Sequence, residues 1–181
     1  GVQEELARAI LTLGKPVVVV LVNGRPLAIP ELAQAASAIL EAWLPGEEGG
    51  AAVADVLFGD VNPGGRLAIT FPRHVGQVPL FYSQKPSGGR SNWYQDYVTV
   101  DRSPLYPFGH GLSYTTFEYD NFSLSPRQIE AGGTVDVSLT IRNTGKILGD
   151  EGVQLYICDE FGCVPRPVKE LKGFIRLTLQ P

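Results

Sequence analysis

WLPGEEGGAAVADVLFGDVNPGGRLAITFP, residues 43–72, carries three elements in a fixed order. Trp43-Leu44-Pro45-Gly46 ends an apolar segment with a turn. Glu47 to Phe58 has the spacing of a short amphipathic helix, with Val53, Val56 and Leu57 on one face. Gly59 to Gly65 is rich in turn residues. Arg66 to Phe71 then has the pattern of a strand closed by Pro72.

Upstream, Leu6, Ala9, Ile10 and Leu13 share a helical face over residues 2–13, and Gly14 stops the helix. Val17 to Val22 is a continuous apolar run, mostly β-branched, the pattern of a strand buried on both faces in a parallel sheet. Asn23-Gly24-Arg25-Pro26 is the turn that leaves it. A dinucleotide site is excluded here, because that fingerprint needs three spaced glycines and this turn has one, followed by Arg and Pro. Pro30 opens a short helix through about Ala36, and Ala38 to Trp43 forms a second strand. Helix, strand, helix, strand, helix, strand is an α/β layout with right-handed crossovers.

Downstream, residues 73–103 lose periodicity, yet Phe81, Tyr82, Trp93, Tyr94 and Tyr97 are too many rings for a solvated linker. From about Phe117 the pattern alternates. Phe122 and Leu124, then Val135, Val137, Leu139 and Ile141, then Val153, Leu155 and Ile157, then Leu171, Phe174, Ile175, Leu177 and Leu179, are strand patterns separated by glycine-rich turns. Four or five antiparallel strands point to a β-sandwich, short of the roughly seven that a fibronectin-III-like sandwich needs. The expected division is residues 1–72, the C-terminal part of an α/β sandwich domain; 73–116, an irregular aromatic-rich segment and linker; and 117–181, a partial fibronectin-III-like domain.

A net charge of −4 argues against a nucleic-acid partner held through phosphates. No apolar run approaches the roughly 20 residues that span a bilayer. The chain holds no methionine, and both ends have the look of cuts within a longer protein, so an export signal upstream is left open. Cys158 and Cys163 bracket four residues; a disulfide across a hairpin and two free thiols are both open to them, while two cysteines without a neighbouring histidine supply half a metal-ligand set.

Residues 43–72 closely resemble a segment near the end of the second domain of the family 3 glycoside hydrolases, the β-glucosidase and β-xylosidase family. Pro104-Leu105-Tyr106-Pro107-Phe108-Gly109-His110-Gly111-Leu112-Ser113-Tyr114-Thr115-Thr116-Phe117 is similar to that family's linker signature. Arg166-Pro167-Val168-Lys169-Glu170-Leu171-Lys172-Gly173-Phe174 is similar to a strand pair of its fibronectin-III-like domain. The resemblance implies a C-terminal fragment of a retaining, exo-acting β-glycosidase, with β-glucosidase the first choice and no metal or organic cofactor. It also implies a missing N-terminal barrel that carries an Asp nucleophile. The Glu acid/base of most members belongs to a loop upstream of residue 1, so no catalytic residue is expected in this chain. A periplasmic or secreted location is compatible with the parent protein.

Glycoside hydrolysis needs two carboxyl groups flanking the bond. Glu47 and Glu48 belong to a helix start, where the dipole favours the ionised form, opposite to what a general acid needs. Asp55 falls on a polar helix face and Asp60 in a turn. Asp96 and Asp101 are placed as loop-holding residues, with a sugar hydroxyl as the other partner open to them. His74 is expected at the surface and His110 as a packed ring; Ser113 lacks a strained nucleophile turn. Trp43 is expected in the core. Trp93 and Tyr94 are the candidates for stacking on a sugar. Asn121-Phe122-Ser123 fits a glycosylation sequon. The rival reading is a non-catalytic carbohydrate-binding or structural module, against which the α/β half counts.

Overall fold

A computed structural model describes residues 1–85, 101 and 103–181. The first half holds α1 (Val2–Leu11), β1 (Val18–Leu21), α2 (Pro30–Ala35), β2 (Ala38–Glu41) and α3 (Gly49–Phe58). β1 and β2 pair in parallel, Val18 opposite Ala38 and Leu21 opposite Glu41, with α2 in the connection between them. Local chemistry accounts for each boundary. Glu4 in the first turn of α1 bonds the Gly1 amino group at 3.3 Å. Pro30 stands at the first position of α2, where its missing N–H costs nothing. Gly59 closes α3 at φ +86°, a left-handed conformation that glycine adopts without a Cβ penalty. Arg8 of α1 donates to both Glu4 and Glu31, at 2.8 and 2.7 Å, and so ties α1 to α2.

Two expectations for this half are corrected. The Val17–Val22 run forms a strand, but it is not buried on both faces: Val18 is 50 % exposed and Val22 is exposed as well. Among the described residues β1 has one strand neighbour. Arg66 to Phe71 does not join the parallel sheet as a third strand. It runs antiparallel to the linker instead. Leu67 N–H donates to His110 O at 2.8 Å and Gly109 N–H to Leu67 O at 2.7 Å; Phe71 N–H donates to Tyr106 O at 2.9 Å and Leu105 N–H to Phe71 O at 2.8 Å. The Trp43–Phe71 stretch thus turns away from its own sheet and becomes the seat of the linker. Phe71, 2 % exposed, is the apolar centre of this arrangement, with the rings of Trp43 and Tyr106 at 5.8 and 6.1 Å. Burial of a phenylalanine contributes about 1.5–3 kcal/mol.

The second half holds β3 (Phe117–Ser125), β4 (Asp136–Asn143), β5 (Gly149–Ile157) and β6 (Glu170–Leu179). They form two antiparallel pairs, β3–β4 and β5–β6. β3 carries a bulge between Asp120 and Ser123, where Asn121 sits at φ +53°. The strands leave large side chains open, among them Phe122, Ile157, Phe174 and Ile175. The pairs are held to each other through Asn143, which is buried. Its Nδ2 donates to Ile147 O at 2.8 Å and to Leu179 O at 3.0 Å. Its Oδ1 accepts from Thr115 Oγ1 at 2.6 Å and from Gly145 N–H at 3.0 Å. One buried amide therefore joins the end of β4, the β4–β5 turn, the end of β6 and the linker, and all its polar capacity in the interior is met.

Candidate functional site

The junction between the two halves gathers the polar contacts of greatest sequence separation. Arg66, at the start of the extended stretch, reaches across to Glu151 on β5 with Nη2 to Oε2 at 2.6 Å; the two side chains are 15 % and 13 % exposed. Tyr119 of β3 donates its hydroxyl to Glu151 Oε1 at 2.6 Å. The guanidinium stem packs under Gly152 and Gly111, where a Cβ would meet Arg66 Cγ at 3.2 Å and Cδ at 2.9 Å respectively. Burial pushes the Tyr119 phenol up, and its hydrogen bond to the charged Glu151 and that charge itself add to the rise, with Arg66 opposing. His110 stacks on Tyr106 at 5.2 Å, and burial, then the Arg66 charge, lower its pKa below the ordinary 6.5.

Asn62 forms a second bridge. Its Nδ2 donates to Leu148 O at 3.0 Å, and its Oδ1 accepts from Ser113 Oγ at 3.0 Å and Tyr114 N–H at 2.8 Å. A third contact is aromatic. Tyr82 stacks on Phe108 at 4.3 Å and meets Tyr156 edge-on at 6.0 Å, while Lys169 Nζ lies 4.7 Å over the Tyr156 ring. Gln154 Nε2 donates to Gly109 O at 3.1 Å, and Gly109 stands at φ +81°.

These positions account for most of the residues singled out from sequence. His74 is exposed and caps the turn at Val75–Gln77, its Nδ1 accepting from Gly76 N–H at 3.0 Å. His110 is a packed ring. Ser113 is held by Asn62 and has no histidine on its hydroxyl. Asp101 accepts from Ser103 N–H and Oγ, both at 2.8 Å, a loop-holding role. Glu47, Glu48, Asp55 and Asp60 are exposed. Trp43 packs on Phe71 at φ +54°. Tyr82 is packed as expected of the aromatic segment, whereas Phe81 is exposed, because its neighbour takes the stacking position on Phe108. Cys158 and Cys163 are free and exposed. Trp93, Tyr94, Asp96 and Tyr97 lie outside the described residues. Arg66, Glu151, Asn62 and Asn143 were not anticipated.

Two clefts flank the α/β half. One, of about 590 Å³, lies between β2, α3 and the linker and includes Trp43, Arg66 and His110. The other, of about 1520 Å³, lies between α1, β1 and α2. The carboxylates lining them are already engaged. Glu41 accepts from Asn23 Nδ2 at 3.2 Å and from Trp43 N–H at 2.9 Å, and Glu4 and Glu31 share Arg8. Neither cleft is therefore lined by a free carboxyl, and among the described residues no group of three or more His, Cys, Asp or Glu is placed to hold a metal. No helix among them is long and apolar enough to cross a membrane.

An α/β segment seated on an ordered linker and followed by antiparallel β pairs defines the class: the region where an α/β domain passes into a fibronectin-III-like domain. The glycosyl hydrolase family 3 C-terminal domain model matches residues 1–114, and the fibronectin type III-like domain model matches residues 151–181. The chain belongs to glycosyl hydrolase family 3. It is 53 % identical over its full length to a β-xylosidase of Formosa agariphila, covering 25 % of that protein. It is 48 % identical to a periplasmic β-glucosidase of Salmonella typhimurium, with 99 % of this chain and 24 % of that protein aligned. Among solved structures, a β-glucosidase from Erythrobacter marinus superposes with a TM-score of 0.91 at 49 % identity, covering 100 % of this chain and 23 % of that one. A β-glucosidase from Listeria innocua in complex with glucose gives 0.92 at 42 % identity over 98 % of this chain and 26 % of that one. The chain therefore spans about a quarter of the length of the curated relatives it matches.

Two outcomes are expected at the junction. Arg66→Met leaves the Glu151 carboxylate buried and unpaired and lowers unfolding stability by about 3–5 kcal/mol, while the double variant Arg66→Met/Glu151→Leu recovers most of that loss; urea denaturation of the four proteins measures the cycle. Because the folded pKa of His110 is depressed, the unfolded chain binds its proton first as pH falls. Stability should fall as pH drops below about 6.5 and level off once the folded ring is protonated too. His110→Asn should flatten that part of a melting-temperature profile against pH.

Proposed function

We propose that the protein to which this chain belongs is a retaining, exo-acting β-glycosidase, a β-glucosidase in the first place, that removes terminal non-reducing β-linked sugars. The observation that carries the reading is the superposition of the whole chain on the β-glucosidase from Erythrobacter marinus. Retention requires a nucleophilic carboxylate and a second carboxyl that acts as acid and then base. The carboxylates lining the two clefts are engaged in other contacts, and we assign both groups to the part of the relatives that this chain does not match, the N-terminal barrel included. Residues 1–72 close the α/β domain, 73–116 carry the chain over it and 117–181 begin the fibronectin-III-like domain.

The work of these residues is mechanical. The Arg66–Glu151–Tyr119 contact, the Asn62 bridge and the Tyr82–Phe108–Tyr156 stack hold the β pairs in one orientation on the α/β half, and thereby brace the walls on which substrate-binding loops stand. Trp93 and Tyr94 are the residues of this chain assigned to stacking on a sugar ring, since aromatic faces suit the apolar faces of sugars. A periplasmic or secreted location is in keeping with the name of the Salmonella relative.

Aryl β-glucoside and aryl β-xyloside hydrolysis by the whole protein and by the 181-residue chain tests the reading. The whole protein is expected to turn over the glucoside with net retention, and the chain alone to match buffer. A whole protein inactive on both glycosides would overturn the glycosidase assignment. Activity of the chain alone that disappears on substituting one of its own acids would overturn the assignment of the carboxyls elsewhere.

A further inference from the structure

The loop between β5 and β6 carries two thiols, five residues apart, that the rest of the fold leaves unused. Cys158 and Cys163 are both free and exposed. They flank Asp159-Glu160-Phe161-Gly162, and the backbone bends at Glu160 and Phe161, midway between them. The reversal shows in the contacts. A Cβ at Gly162 would lie 3.4 Å from Asp159 Oδ2 and 3.2 Å from Arg166 Cγ, and Asp159 pairs with Arg166 at 3.6 Å. With Asp159 facing Gly162 across a two-residue bend, the next residues outward are Cys158 and Cys163, one on each arm. The base of the loop is fixed as well. Ile157 stands opposite Glu170 in the β5–β6 register, and Val168 N–H donates to Gln84 O at 2.9 Å. Within the loop, the Asp159–Arg166 pair folds the chain back on itself around the segment that carries the thiols, as a bridge between two Cβ atoms requires.

Free cysteine ordinarily packs as a small apolar side chain in the interior. Neither thiol does so here, and among the described residues no histidine or carboxylate joins them as a metal set. Oxidation is the chemistry that this placement leaves open, because exposed thiols are accessible to small disulfides.

We propose that Cys158 and Cys163 form an intraloop disulfide in an oxidising compartment, closing the β5–β6 loop beneath Phe161. The oxidant is a small-molecule disulfide such as oxidised glutathione. The thiolate of one cysteine attacks a sulfur of the oxidant and expels one thiolate, giving a mixed disulfide. The thiolate of the other cysteine then attacks the protein sulfur and expels the second. Two S–H bonds and one S–S bond break, one protein S–S bond forms, and the two electrons and two protons end on two small thiols. The product fixes the loop that presents Phe161, 93 % exposed at its tip. Nothing in this assignment rests on the glycosidase reading.

The test is peptide mapping of the protein after incubation with oxidised glutathione, followed by alkylation of free thiols under denaturing conditions. Trypsin cuts after Lys146 and Lys169 and releases both cysteines on one peptide, since the Arg166-Pro167 bond resists it. The expected peptide is lighter by two hydrogens, carries no alkyl group, and stays joined after a chymotryptic cut at Phe161 until a reductant is added. Cys158→Ser and Cys163→Ser should each take up one glutathione at the surviving thiol. Full alkylation of both cysteines after oxidation, one glutathione on each, or disulfide-linked dimers would overturn the proposal.

Discussion

The ion pair of Arg66 with Glu151 sets the geometry on which the rest of the structure depends. The two residues are 85 positions apart, belong to different halves and are both largely withdrawn from water. A pair of this kind adds little to stability compared with a well-packed apolar contact of the same shape, because desolvation offsets the Coulomb attraction. What it supplies is direction. A guanidinium set against a carboxylate that also accepts from Tyr119 is satisfied in few orientations of β5 and β3 relative to the extended stretch. An apolar junction would tolerate sliding; this one does not. The small residues around it follow from the same requirement, since Gly111 and Gly152 are where the arginine stem passes.

Around that contact the chain keeps its backbone polar groups paired rather than building a large core. Phe71 is the one fully buried large side chain among the described residues. The linker is ordered because its N–H and C=O groups are used by residues 67–71, and because Asn62, Gln154 and Asn143 bond it or its neighbours from three sides. Pro104, Pro107 and the rings of Tyr106 and Phe108 therefore belong to a packed ribbon. Apolar strand faces that remain open, as at Phe122 and Phe174, are of the kind that marks a contact surface in a folded protein.

Much of this was legible in the residues. Helical spacing located α1 and α3, the β-branched run located β1, Pro30 and Gly59 marked two helix ends, and alternation located the four strands of the β half. The family was legible in the order of three motifs. The failures have physical causes. Burial of Val17–Val22 was inferred from composition alone, but burial depends on what covers a strand, and β1 has a single strand beside it. Arg66–Phe71 has a strand pattern, and its hydrogen bonds are indeed extended, but pattern does not name the partner: the linker took the place of the sheet. Glu151 was missed although a signal existed. It shares strand parity with Val153, Leu155 and Ile157, and a charge on an apolar face calls for a buried partner. Arg66, 85 residues earlier, has no sequence mark that singles it out as that partner. Trp93 and Tyr94 stay where residue chemistry alone puts them.

The account rests on the linker being a fixed ribbon clamped between the halves. Native-state amide hydrogen exchange of the protein tests this most directly, because it reads the opening of individual backbone bonds. The amides of Leu67, Phe71, Leu105 and Gly109 are predicted to be protected to about the degree of the β5–β6 amides, and to lose that protection together in Arg66→Met. Exchange of the linker amides at the rates of an unstructured chain, with β5 and β6 still protected, would contradict it.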